Sequence, residues 1–161
     1  MNNPNLEKIV NRNPSKDVPP ISRFGECYFG PRSFERKRDG ALYRWLGVHY
    51  FKKIVPTWGS FVNRLFNYHP IASAKTIEEK EEALRDWELG TRFYEGAHLV
   101  LGAWYTLDIY NKISEGKYKE ASLSALGNIV GNLYPVMLQR YNRARIYNAL
   151  EKIAEERADQ Q

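Results

Sequence analysis

The chain has 161 residues, 24 Lys and Arg against 19 Asp and Glu, a net charge of +5 and 14% aromatic side chains. That aromatic stock excludes a disordered chain, and the length excludes a multidomain enzyme. Its one cysteine, Cys27, excludes an intrachain disulfide and reads as a buried or half-buried thiol rather than a nucleophile, which needs an activating base.

Charge divides the chain. Residues 1–70 carry 12 basic and 5 acidic side chains, a balance of +7, whereas residues 71–161 carry 12 and 14, a balance of −2. A basic, aromatic-rich first part suits an anionic partner. Residues 1–20 hold no apolar run long enough for a signal peptide and read as a flexible polar leader. Residues 21–70 read as a basic helical module centred on a predicted helix from Ala41 to Val55, which Pro56 and Gly59 end. Leu42, Trp45, Leu46, Tyr50 and Ile54 recur there at helical spacing, and Arg44, Lys52 and Lys53 keep it basic. That mixture suits packing on its own domain or lying at a membrane interface. Arg32, Glu35, Arg36, Lys37 and Arg38, with Lys52, Lys53 and Arg64, read as a solvated face. With no recognisable reading module, nucleic acid is not an expected partner.

Residues 71–161 read as a helical hairpin. Thr76 and Glu79 form a T-x-x-E capping box, followed by the i, i+4 pairs Glu81–Arg85 and Glu88–Arg92. From Phe93 to Tyr110 apolar residues occupy every face, interrupted by Glu95, His98 and Asp108, as in a helix buried in protein or lipid. Gly116 is the expected breaker of the connector. The stretch Ala121 to Leu138 is 18 residues without a charge, about the lower limit for a membrane span. Gly127 and Gly131 form a G-x-x-x-G, and Gly102 with Thr106 a small-x-x-x-small match, which together predict two closely packed helices. Pro135 predicts a kink. The expected fold is therefore all-α: a basic helical module, then a long helical hairpin. Either the hairpin enters a bilayer, with the basic parts facing the cytoplasm, or the chain is a soluble bundle, as a mean hydropathy of −0.59 favours.

Three histidines, His49, His69 and His98, without a Cys pair or H-E-x-x-H, provide no recognisable metal site. Glu95 and His98, at i, i+3, share a helix face, where a carboxylate can orient an imidazole acting as general base. Arg92, one turn earlier, is placed to pair with Glu95 or with an anionic substrate. The alternative is a polar pair that only satisfies itself in a helix interface. A second constellation comprises Asn132, Tyr134, Pro135, Gln139, Arg140, Tyr141, Asn142, Arg143 and Arg145. Its arginines suit phosphate or carboxylate groups, or a helix end anchored at a headgroup layer.

The strings Tyr28-Phe29-Gly30-Pro31-Arg32-Ser33-Phe34-Glu35 and Leu42-Tyr43-Arg44-Trp45-Leu46-Gly47-Val48, followed by Phe51-Lys52-Lys53 and Val62-Asn63-Arg64, resemble one half of a known family. Residues 132–145, containing Gln139-Arg140-Tyr141-Asn142-Arg143-Ala144-Arg145, resemble the other. The family is that of the glycosyl-4,4'-diaponeurosporenoate acyltransferases, small bacterial membrane proteins named for the acylating step of staphyloxanthin synthesis. Thr91, Arg92, Glu95 and His98 match a further block of it, while Gly90, Tyr94 and Leu99 depart. The resemblance implies acyl transfer from a thioester donor of acyl-CoA type to a hydroxyl of a lipid-like or glycosylated, carotenoid-type acceptor, at the cytoplasmic membrane. In that reading His98 and Glu95 are catalytic, and Arg140, Arg143 and Arg145 hold the donor's phosphates or a headgroup. Asn132 or Asn142 stabilises the oxyanion, and Arg92 and Gln139 complete the substrate site. The alternative is a non-catalytic, membrane-associated interaction protein.

Overall fold

The computed structural model describes residues 25, 27–54 and 74–159. The leader, the helix stop at Pro56 and Gly59, His69, and the side chains of Lys52, Lys53 and Arg64 lie outside the described residues. Packing divides the chain between Gly30 and Pro31 into two units. In the first, the Tyr28 and Phe29 rings meet edge to face at 4.9 Å. Cys27 is exposed there rather than buried.

In the second unit every described element is helical. Three short helices come first: α1 (Ser33–Arg36), α2 (Ala41–Trp45) and α3 (Val48–Ile54). Two long rods follow. The first is α4 (Ile77–Ser114), and the second runs through α5 (Tyr118–Asn128), a π-helical turn (Ile129–Leu133) and α6 (Tyr134–Asp159). At 1.5 Å per residue, the 38 residues of α4 extend about 57 Å.

Local chemistry accounts for the ends of these rods. Thr76 Oγ1 accepts from the Glu79 amide at 3.2 Å and Glu79 Oε2 from the Thr76 amide at 3.4 Å, so the capping box forms. Gly116, at φ +75°, breaks the hairpin where expected, and the Lys117 amide closes the end of α4 on the Lys112 carbonyl at 2.8 Å. Pro135 lacks the N–H of a regular turn, and its ring crowds the carbonyl four residues back. The chain answers with the wide π turn rather than a break, and α6 continues from it.

Two expectations about the helices are corrected. The helix from Ala41 to Val55 is two helices, because Gly47 takes φ +80° and turns the chain between them. The corner is held by α6: Tyr134 donates to the Leu46 carbonyl at 3.4 Å, and its ring stacks on Phe51 at 5.1 Å. The Gly127–Gly131 pair does not bring the rods together; a Cβ at either would meet nothing within 4 Å. The close approach is at Gly102, where a Cβ would lie 3.4 Å from both Asn128 Oδ1 and Asn132 Cβ.

The buried apolar cluster lies at the joint between the short helices and α6, where Tyr43, Val48, Leu138 and Tyr141 come together and Met137 lies against them. Leu84, Ala121, Ala144 and Ile146 are buried along the rods. The seam between the rods also buries polar groups: Thr91, Glu95, Asn132 and Arg143. The outer surface is apolar, with Phe93, Val100, Trp104 and Leu123 all more than two-thirds exposed. Nevertheless, among the described residues no helix is long and apolar enough to cross a membrane. The reason lies in the polar residues of the seam, which dilute both stretches.

Arg38, Asp39 and Gly40 take positive φ in succession, and a Cβ at Gly40 would lie 2.6 Å from Tyr141 Cδ2. Gly40→Ala combines left-handed strain with an overpacked core and is expected to destabilise by about 2–4 kcal/mol. Gly116→Ala, at a similar φ but in open space, is expected to cost about 1 kcal/mol. Thermal midpoints of the two variants check the difference.

Candidate functional site

Arg140 and Arg143 come one turn apart on α6, and both guanidinium groups face α4. Arg143 Nη2 meets Glu95 Oε2 at 2.6 Å, and Arg140 Nη1 donates to Glu95 Oε1 at 3.1 Å. On its other side Arg140 Nε donates to Glu35 Oε1 at 2.8 Å. Glu35 Oε1 also accepts from the Tyr43 hydroxyl, and Glu35 Oε2 from the Arg32 amide at 2.7 Å. Arg143 Nε donates to Thr91 Oγ1 at 3.1 Å and lies 3.6 Å from Glu88 Oε1, which also accepts from Arg92 Nε at 2.6 Å. Three carboxylates (Glu35, Glu88, Glu95) thus meet three guanidinium groups (Arg92, Arg140, Arg143) in one chain of ion pairs.

Burial raises the stakes: Glu95 is 0% and Arg143 1% exposed. Desolvation by itself pushes the Glu35 carboxyl up; the Arg140 and Tyr43 bonds and the Arg32 amide outweigh it and hold Glu35 below the usual carboxylate range. The Tyr43 phenol is pushed above its ordinary value, first by burial and then by Glu35, so it stays protonated and donates. The Arg140 guanidinium is raised, first by its bond to Glu35.

The imidazole belongs to a separate arrangement further along the seam. His98 Nδ1 lies 3.3 Å from Asn132 Oδ1. Asn132 Nδ2 donates to Asn128 Oδ1 at 2.9 Å, and Asn128 Nδ2 donates to the Gly102 carbonyl at 3.1 Å. A backbone carbonyl only accepts, so each amide in the series is oriented by the one before it. Asn132 must then present its oxygen to the ring and His98 Nδ1 must carry a proton, which in the neutral ring puts the lone pair on Nε2. His98 lines a cleft of about 390 Å³ with Gly102, Ala103, Thr106, Asn128, Asn132 and Val136.

The residues expected to converge are therefore distributed over three places. Glu95 does not orient His98: its carboxylate is taken up by Arg140 and Arg143, and Asn132 stands in its place beside the ring. Arg140 and Arg143 are enclosed by carboxylates rather than open to a phosphate. Arg92 bonds to Glu88, and to the Tyr147 hydroxyl at 3.3 Å, rather than to Glu95. Asn142 and Arg145 line a second groove, between α4 and α6. Gln139 is half-buried and lines neither. Asn132, with both amide groups bonded, holds the ring rather than standing free for an oxyanion. Sequence alone does not single out Asn128 as a site residue, although Asn128 and Asn132 are amides at i, i+4 in an uncharged stretch. Among the described residues no group of three or more His, Cys, Asp or Glu side chains is placed to hold a metal ion.

The fold and site define a small all-helical protein in which a locked hairpin presents one oriented imidazole to a largely apolar cleft. The family model described as glycosyl-4,4'-diaponeurosporenoate acyltransferase matches residues 25–152, and the chain belongs to that family. No curated protein and no solved structure matches it.

Removing the Glu95 charge leaves Arg143 buried without its closest partner, so Glu95→Gln is expected to destabilise by about 3–5 kcal/mol in chemical denaturation. Glu35 is the buried contributor to the pH dependence. Because its carboxyl titrates lower in the folded chain than unfolded, its contribution is full above the unfolded value of about 4.3 and is lost as pH falls towards the folded one. Denaturation midpoints measured from pH 6 to pH 3 are expected to fall in the wild type and to fall less steeply in Glu35→Gln.

Proposed function

We propose that the chain moves an acyl group from a thioester donor, of acyl-CoA type, to a hydroxyl of a lipid-like or glycosylated, carotenoid-type acceptor, with His98 as general base. One observation carries this reading. The series from the Gly102 carbonyl through Asn128 and Asn132 leaves the lone pair of His98 on Nε2, on a residue that lines a cleft. In the reaction, Nε2 takes the acceptor's hydroxyl proton as the oxygen attacks the thioester carbonyl. The new C–O bond forms, the C–S bond breaks, and the imidazolium returns the proton to the departing thiolate. Asn132 and Asn128 are positioning residues. The glutamate and arginines act through the fold, holding α4 against α6 so that His98 meets Asn132.

The hairpin's surface supports a lipid-like acceptor. From Phe93 to Tyr110 and from Ala121 to Leu138 the one exposed charged side chain is Asp108, 40% exposed. Thr106 and Ser122 return their hydroxyls to carbonyls one turn back, at 2.8 and 2.9 Å. Asp108 is turned towards the neighbouring rod, bonded to Lys112 at 2.6 Å and Ser124 at 3.0 Å. Polar groups inward and apolar groups outward is the arrangement a hydrocarbon layer favours. In this reading the hairpin dips into the bilayer, where the acceptor is dissolved, with the basic parts at the cytoplasmic face.

With a long-chain acyl-CoA and a glycosylated carotenoid acid as substrates, His98→Ala is expected to lower transfer by 10²- to 10⁴-fold, and Asn128→Ala by roughly tenfold, through loss of ring orientation. Unchanged transfer in His98→Ala removes the base. A non-catalytic interaction protein predicts no turnover in any variant. Vesicle flotation checks the lipid reading: wild type is expected to float, and Trp104→Lys with Leu107→Lys to remain below.

A further inference from the structure

Three of the four arginines of α6 are tied to carboxylates: Arg140 to Glu35 and Glu95, Arg143 to Glu95, and Arg157 to Glu78 and Glu81. Arg145 differs. Its guanidinium lies 5.7 Å over the Tyr141 ring, on an exposed side chain, and among the described residues it makes no ion pair. It lines the groove of about 320 Å³ between α4 and α6. Lys152, two turns on, is likewise exposed, outside any such ion pair and on the same groove.

The rest of the lining is mixed, with the amides of Asn142 and Asn148 beside one flat aromatic face. Trp87, 45% exposed, lies on its α4 side with Leu84, and Ile146 and Ala149 contribute from α6. One carboxylate, Asp39, is on the rim, held below its ordinary value first by its bond from Asn148 Nδ2 at 2.9 Å and then by the charges of Lys152 and Arg145. Two cations against this one carboxylate leave the lining net positive. An inorganic anion would leave Trp87 uncovered, whereas Leu84 and Ile146 are already buried by the fold. A ligand matching the whole lining bears a negative group at one end and a flat or apolar body at the other.

We infer that this groove binds an organic phosphate, its phosphate held by Arg145 and Lys152 and its body laid on Trp87. Its identification as the phosphorylated handle of the acyl donor rests on the acyl-transfer reading. Length agrees with that: His98 lies eleven residues beyond Trp87 on α4, about 16 Å of helix rise. A donor anchored in the groove needs an arm of that order to bring its thioester to the imidazole.

Equilibrium titration of the full chain, followed by tryptophan emission, tests the site without turnover. The probes are adenosine 3',5'-bisphosphate, monomeric dihexanoyl phosphatidate and inorganic phosphate. One of the organic phosphates is expected to change emission saturably, the change being absent in Trp87→Phe. Arg145→Gln with Lys152→Gln is expected to weaken it at least tenfold with an unaltered thermal midpoint. Saturation by the nucleotide identifies a nucleotide handle, and saturation by the phosphatidate a lipid headgroup. Binding by neither, binding of inorganic phosphate at the same concentration, or unchanged affinity in the charge variant overturns the inference. Transfer persisting without groove binding overturns this inference alone, whereas groove binding without transfer overturns only the acyl-transfer reading.

Discussion

Everything in the second unit is arranged around the buried contact between Glu95 and Arg143. Two charges removed from water cost several kcal/mol each, and only close, well-bonded geometry offsets that. Arg140 and Thr91 supply additional hydrogen bonds, Glu88 adds an ion pair at 3.6 Å, and Arg140 extends the chain of charges to Glu35 and Tyr43. One polar network therefore joins α1 and α2 to α6, and α6 to α4. The apolar cluster of Tyr43, Val48, Leu138 and Tyr141 is too small to do this unaided. A network of this kind also has little tolerance for slippage, because a shift of one residue along α4 would leave a buried charge without its partner.

That registration is what places the imidazole. Glu95 and His98 are one turn apart on α4, and Asn132 precedes Arg140 and Arg143 on the second rod. Once Glu95 is held between the two guanidinium groups, His98 comes opposite Asn132. The π turn accommodates Pro135 without ending the rod, so Asn132 remains in the seam. Stability and orientation are then coupled but chemically distinct: ionic in the lock, neutral amides around the ring. Neutral partners suit a base, since a carboxylate beside His98 would favour the imidazolium.

The strings through which the chain resembles its family are largely those that build the lock. Glu35 and Tyr43 come from the first half, Arg140 and Arg143 from the second, and Glu95 from the block between. Arginines in such a string invite a phosphate-binding role, and Arg145, outside the lock, keeps that chemistry open on another face of α6. A guanidinium group is equally suited to a carboxylate or a phosphate, so the partner depends on what the fold brings near it.

The sequence by itself determined the all-helical class, the hairpin, the capped start of α4, the turn at Gly116 and the family, because caps, breakers and helical periodicity act over a few neighbouring residues. It also marked Glu95, His98, Asn132 and the arginines as polar groups at odds with their apolar surroundings. Which of them pair was decided only by tertiary structure. Spacing places Glu95 near His98, but the guanidinium groups from about forty-five residues away compete for that carboxylate and win, since an ion pair out of water outweighs a bond to a neutral ring. The same long-range packing moved the close helix approach from Gly127 and Gly131 to Gly102 and split the first helix at Gly47. Contacts between distant segments are set by the geometry of two assembled rods, which no local pattern contains.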